Sequence, residues 1–192
     1  MGKNYLSGGK QISSTLKWLK EDFKKEILIY LNSTDFKKRA SIYGGEKIPE
    51  NERNLTDSRG RVSLIIEYEF ARAINDHFLN ESQEDIFCSY VVANRFPDLE
   101  MRNSAGNLGL RFEVKCLQSS AEEKSANFST LKKDLRQDTD FIIVFLWEWS
   151  DIKKEILWDR SPEILDMYIF SAYELAKLRD LNWLNHPPKT LG

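Results

Sequence analysis

The stretch "PDLEMRNSAGNLGLRFEVK", Pro97 to Lys115, holds two acids and a lysine whose spacing suits chemistry. Asp98 stands at one end. Glu113 and Lys115 stand two residues apart at the other. "NSAGN" reads as a hairpin connection between two strands. In a strand, positions i and i+2 share a face. Glu113 and Lys115 therefore point to one side, while Phe112, Val114 and Cys116 point into the core. The hairpin brings Asp98 back beside Glu113. Two carboxylates held together repel each other, and a divalent cation removes the conflict. Mg²⁺ is the expected ion: it takes hard oxygen ligands, keeps several waters, and is satisfied by two carboxylates and a phosphate. Such a group suits hydrolysis of a phosphate ester. The cation polarises the phosphate and lowers the pKa of a bound water. Lys115 steers that water or stabilises developing charge.

The acid-x-Lys spacing alone says little. It occurs five times: Asp22–Lys24, Asp35–Lys37, Glu113–Lys115, Glu122–Lys124 and Asp151–Lys153. Only the Glu113 pair lies inside a strand pattern. The first two sit in or beside helical patterns, where i and i+2 diverge, and the last two flank loops. Pro97–Asp98 is the one Pro-Asp pair in the chain. The competing reading is a solvated polar face on an edge hairpin.

The elements that must position these residues follow from periodicity. "SSTLKWLKEDFKKEILIYL" is an amphipathic helix with Leu16, Leu19, Phe23, Ile27 and Tyr30 on one face. Lys37, Lys38 and Arg39 form a basic cluster on a helix surface. A long loop, "YGGEKIPENERNLTDSRG", is expected next, from its glycines and proline. "RGRVSLIIEYEFARAINDHF" is a second helix with Val62, Ile66, Phe70, Ala73 and Ile74 as its stripe. "DIFCSYVVANRF", "LEMR" and "LGLRFEVKCL" are strands. "NFSTLKKDLRQD" is a short helix, and "FIIVFLWEW" is a strand buried on both faces. "EILW" and "ILDMYIF" are further strands. "SAYELAKLRDL" is a helix opened by a Ser171…Glu174 capping box, and the tail is irregular.

The motif "PD…EVK", in a chain whose elements run helix, three strands, helix, strand from residue 59 to 149, resembles the PD-(D/E)XK nuclease superfamily. The resemblance covers about half of the chain. It implies an α/β fold with a restriction-endonuclease-like αβββαβ core, a central mixed sheet flanked by helices. It places the family's first acid on Asp98, its second on Glu113 and its lysine on Lys115, with Asp98 and Glu113 as the metal ligands. Many members add a glutamate from the first core helix. Glu67 is preferred to Glu69, because on a helical wheel it falls inside the apolar sector between Ile74 and Phe78, where a charge needs a reason. Glu69 lies nearer the edge. Arg61, Ser63 and Glu67 also resemble an Arg-x-small-x-x-x-Glu pattern of some restriction enzymes, with Ser where Gly is common. An ion pair of Glu67 with Arg61 or Arg111 is the structural alternative.

A nuclease needs a DNA surface. Arg59 and Arg61 precede or open the core helix. Ser119, Lys124, Asn127, Ser129, Lys132, Lys133 and Arg136 follow the Glu-x-Lys strand. These residue types hold phosphates and read base edges. Gln118 holds a water or phosphate, or is a polar strand end. The alternative for each lysine is a solvated helix flank. His77 and His186 have no ligand partner in view.

The chain has 192 residues, enough for one domain. One domain is expected over 1–192: a catalytic core at 59–149, an N-terminal helical extension and loop at 1–58, and a C-terminal extension at 150–192. A formal net charge of −2 advertises no general grip on nucleic acid, although a local basic surface is compatible with it. Cys88 and Cys116 lack zinc spacing and read as buried thiols of a reducing cytosol. No signal peptide and no membrane span are seen, so a cytoplasmic protein is expected. The absence of a Gly-rich motor motif argues against an ATP-driven nuclease. The expected function is that of a Type II restriction endonuclease, Mg²⁺-dependent and acting on double-stranded DNA as a homodimer. The alternatives are a Holliday-junction resolvase or repair nickase of the same fold, and a catalytically silent DNA-binding module.

Overall fold

The computed structural model describes residues 9–40, 52–83, 85–91, 96–104, 106, 108–120, 128–150 and 161–185. Its centre is a five-stranded sheet in the order β1-β2-β3-β4-β5, formed by Ile86–Tyr90, Leu99–Asn103, Leu108–Gln118, Asp140–Trp149 and Pro162–Ser171. β3 and β4 run parallel, and every other neighbouring pair is antiparallel. Among the described residues, five helices accompany it: α1 (Gly9–Trp18), α2 (Lys24–Leu31), α3 (Thr34–Ala40), α4 (Glu52–Asn80) and α5 (Ala172–Asn185). The fold is α/β, with a mixed sheet flanked by helices.

The main core lies between α4, the N-terminal helices and one sheet face. Val62, Ile66, Phe70, Ile74 and Phe78 of α4 meet Leu110, Phe112, Phe145 and Trp147, all buried. Phe70 sits edge-on to both Phe112 and Phe145. On the opposite face a smaller cluster joins Ile142 and Leu135 to Ala172 and Ala176 of α5. β4 is thus covered on both sides, as its apolar run implies.

The N-terminal helix departs from a regular spiral at Leu19–Phe23, a π-helical turn between α1 and α2. Leu19, Phe23, Ile27 and Leu31 recur every fourth residue and are all buried. In an α-helix a four-residue step drifts by about 40°. One wider turn absorbs part of that drift and keeps these side chains on the core.

α4 begins at Glu52, inside the segment expected to be loop. Gly60 lies within it, and a Cβ there would meet nothing within 4 Å. An isolated glycine costs a helix only about 1 kcal/mol, and the apolar face that starts at Val62 outweighs it. Gly106 is different: its φ of 75° closes the β2–β3 turn, with its N–H on Asn103 O at 2.8 Å. β1 ends at Tyr90. The "EILW" strand lies outside the described residues, as does His186. The Ser171 hydroxyl accepts the Glu174 N–H at 3.3 Å and caps α5 as expected.

The short helix expected over 127–138 is not formed in its described part. Residues 128–131 are not helical, and a single 3₁₀ turn covers Lys132–Asp134. The cause lies in tertiary contacts. Arg179 of α5 donates to Phe128 O at 2.7 Å and to Thr130 O at 3.0 Å, carbonyls that a helix would need. Leu135 is buried while Leu131 is 54% exposed, so the two leucines do not share a buried face.

Two asparagines hold the outer strands. Asn75 of α4 accepts the Cys88 N–H at 2.6 Å and donates to Cys88 O at 3.0 Å. Asn32, just after α2, does the same at Ile164 of β5, at 2.9 and 2.8 Å. Among the described residues, no helix is long and apolar enough to cross a membrane.

Candidate functional site

β2 and β3 pair with Leu99 opposite Phe112 and Glu100 opposite Arg111. One step further, Asp98 faces Glu113. Asp98 is tied on three sides: its N–H donates to Phe112 O at 2.9 Å, its carbonyl accepts the Val91 N–H at 2.9 Å, and Oδ2 accepts the Val114 N–H at 2.8 Å. The carboxylate replaces a backbone acceptor where the ladder ends. The strand alternation holds as expected, with Phe112 and Val114 buried in the main core and Glu113 and Lys115 on the other face.

Lys115 Nζ donates to Glu113 Oε1 at 2.6 Å. The Glu113 side chain is 13% exposed, and its Oε2 is buried without a hydrogen-bond partner among the described residues. Burial pushes the Glu113 carboxyl above the usual carboxylate range; Lys115 opposes this and Asp98 adds to it. Glu67, from α4, is pushed up to about 7, first by burial, then by the charges of Asp98 and Glu113, with Lys115 opposing. Asp98, Glu113 and Glu67 therefore share one field with Lys115.

Glu69 faces elsewhere. It is 3% exposed, more buried than Glu67, against the helical-wheel expectation. It accepts from Tyr30 Oη at 2.6 Å, Arg72 Nε at 2.8 Å and Arg39 Nη1 at 3.0 Å. The wheel located the face that meets the sheet. It could not show that α2 and α3 cover the next sector and supply partners. Arg111, a candidate partner for Glu67, instead pairs with the buried Asp140, Nε to Oδ1 at 2.7 Å. Arg61 is exposed and forms no ion pair with Glu67 among the described residues.

Gln118 and Ser119 are engaged inside the protein. Arg59 Nε donates to Gln118 Oε1 at 2.8 Å, and Gln118 Nε2 donates to Glu148 Oε1 and Ser120 Oγ, both at 3.0 Å. Ser119 Oγ and the Ser120 N–H donate to Glu148 Oε2 at 2.7 and 2.9 Å. Burial pushes the Glu148 carboxyl up, but these bonds from Ser120, Ser119 and Gln118, and that of the Trp149 N–H, hold it down at about 2. Sequence reasoning missed Glu148, whose partners come from β3 and are invisible in the run "FLWEW".

Ser129, Lys133 and Arg136 are exposed. Lys132 Nζ lies 4.9 Å from the centre of the Tyr173 ring. Lys124 and Asn127 lie outside the described residues. The candidate DNA contacts fall into two groups. Arg136 bonds through its backbone to Asp140 at the start of β4. Arg59, Gln118 and Ser119 lie at the far end of the parallel β3–β4 pair. Glu113 and Lys115 sit between the groups. Cys88 and Cys116 are free thiols, each pushed up to about 12 by burial. His77 stacks 4.3 Å from Trp18.

Among the described residues, no group of three or more His, Cys, Asp or Glu side chains is arranged to hold a metal ion. The fit for Mg²⁺ rests on two carboxylates, and the free, buried Oε2 of Glu113 is the acceptor that suits a hard cation. No family model matches the chain, and no curated protein or solved structure matches it.

Proposed function

We propose that this protein is a Mg²⁺-dependent endonuclease that hydrolyses phosphodiester bonds in double-stranded DNA, of the Type II restriction kind and acting as a homodimer. On this reading the hairpin and α4 belong to a restriction-endonuclease-like core. The observation that carries it is the meeting of Asp98 and Glu113 across one hairpin, with Lys115 on one Glu113 oxygen and the other oxygen without a partner among the described residues. A solvated surface pair would not bury an unpartnered carboxylate oxygen.

Asp98 and Glu113 are the residues that would hold Mg²⁺, which when bound polarises the phosphate and makes its water a stronger nucleophile. Lys115 opposes the burial that raises the Glu113 carboxyl and presents its remaining N–H donors to the water or to a phosphate oxygen. Glu67, with a carboxyl near 7, gains and loses a proton close to neutral pH, as a general base must. Arg59 holds Gln118, while Lys132, Lys133 and Arg136 offer charge to the phosphates on the other side of the acids.

The test is incubation of the purified protein with supercoiled plasmid and Mg²⁺, with EDTA as control. Discrete linear fragments that vanish in EDTA support the restriction reading. Cleavage confined to four-way junctions or single nicks points to a resolvase or nickase. Duplex binding without cleavage at any divalent ion rejects the enzyme.

A further inference from the structure

We propose that Tyr90 contacts the substrate strand, its hydroxyl donating a hydrogen bond to a phosphate oxygen beside the acids; this rests on the nuclease reading above. Tyr90 is the last residue of β1 and pairs with Leu99, the residue after Asp98. The next residue, Val91, donates its N–H to Asp98 O. The strand end is therefore stitched to the backbone of one proposed metal ligand.

Its direction is set by α4. Cys88, two residues earlier and on the same strand face, is clamped by Asn75. Tyr90 follows on that face, toward the part of α4 that carries Glu67 and Tyr68. The neighbourhood is felt electrostatically: burial, then Glu67, Cys88, Tyr68 and Asp98, push the phenol above its ordinary range. The hydroxyl stays protonated and remains a donor.

Its ring is open to an incoming ligand. Tyr90 is 43% exposed and Tyr68 is 55% exposed. A phosphodiester approaching Asp98, Glu113 and Glu67 meets negative charge. An uncharged donor at their rim offers a phosphate oxygen a hydrogen bond without adding a charge that would pair with the acids and quench them.

The experiment uses the whole protein, a supercoiled plasmid with Mg²⁺, and a short mixed-sequence duplex with Ca²⁺. Tyr90→Phe keeps the ring and removes the hydroxyl. Duplex affinity is expected to fall about tenfold, the scale of a lost hydrogen bond to a charged group, with the melting temperature of the free protein unchanged. Hydroxyl radicals oxidise exposed tyrosine rings whether or not the phenol is ionised. Tyr90, followed by mass spectrometry, is expected to react in the free protein and to be protected by the duplex. If wild type neither cuts plasmid nor binds duplex, the nuclease reading fails and this inference with it. If wild type cuts and binds, but Tyr90→Phe does the same and Tyr90 is oxidised equally with the duplex bound, the tyrosine inference alone is overturned.

Discussion

Asp98 Oδ2 accepts the backbone N–H of Val114 at 2.8 Å, across the strand that carries Glu113 and Lys115. A proposed metal ligand is thus also a structural acceptor, and the two roles are separable. Asp98→Asn keeps a carbonyl for the Val114 N–H and removes the charge. It is expected to abolish cleavage and leave stability nearly unchanged. Asp98→Ala also orphans the N–H and is expected to be less stable by about 1 kcal/mol. Urea melts and a plasmid assay measure both. Wild-type cutting by Asp98→Asn would take this residue out of the metal site.

The Glu67 carboxyl supplies a pH signature. Its folded pKa of about 7 lies above the ordinary 4.5. Between those values the native state holds more protons than the unfolded chain, so stability falls as pH rises. The cost is absent below 4.5 and complete above 7. Glu67→Gln removes it. The variant's melting temperature relative to wild type is expected to rise from pH 5 to pH 8, and Mg²⁺ at pH 8 is expected to stabilise wild type more than the variant. A difference that is constant with pH would mean that neither burial nor the hairpin acids raise the Glu67 carboxyl.

Lys115 is the cation bonded to a half-satisfied carboxylate. Lys115→Ala leaves Glu113 to desolvation and Asp98, which both push its carboxyl up. The expected loss of stability at alkaline pH is about 1 kcal/mol, more than a freely exposed pair would show, and it shrinks as the pH falls and Glu113 takes up a proton. Single-turnover cleavage is expected to slow by about 10²-fold. Adding Glu113→Gln should restore stability but not activity. An unstable double variant would locate the damage in packing.

Glu69 and Glu67 are expected to separate cleanly. Glu69→Gln disturbs a buried acceptor shared by Tyr30, Arg39 and Arg72. It is expected to lower the melting temperature and spare cleavage by the folded fraction. Glu67→Gln is expected to do the opposite. The reverse pattern in paired melts and rate measurements would assign the helix acid to Glu69.

The legible parts of the fold were those fixed by local pattern. Alternation along Phe112, Glu113, Val114 and Lys115 assigns faces, because a strand has period two. The apolar run of β4 implies cover on both sides, and Ser171 with Glu174 marks a helix start. What could not be read depends on remote partners. Phe128 to Thr130 stay out of a helix because Arg179, about fifty residues on, takes the carbonyls of Phe128 and Thr130. Glu69 looks peripheral on a wheel because Tyr30 and Arg39 belong to another part of the chain. Gln118 looks free until Glu148 and Arg59 are seen to hold it. Opposite charges brought together by folding leave no periodic trace in the chain.

β1 and β5 are the outer strands of the sheet, and an outer strand presents unpaired N–H and C=O groups to any chain that arrives. The amides of Asn75 and Asn32 occupy such a pair at Cys88 and at Ile164. Each asparagine is a one-residue counterfeit of a sixth strand. The sheet cannot be lengthened through these points without first evicting a helix side chain. A homodimer of the kind proposed would therefore form through side-chain surfaces rather than by continuing the sheet through Cys88 or Ile164. The same two amides blunt the template on which fibrillar aggregation would begin.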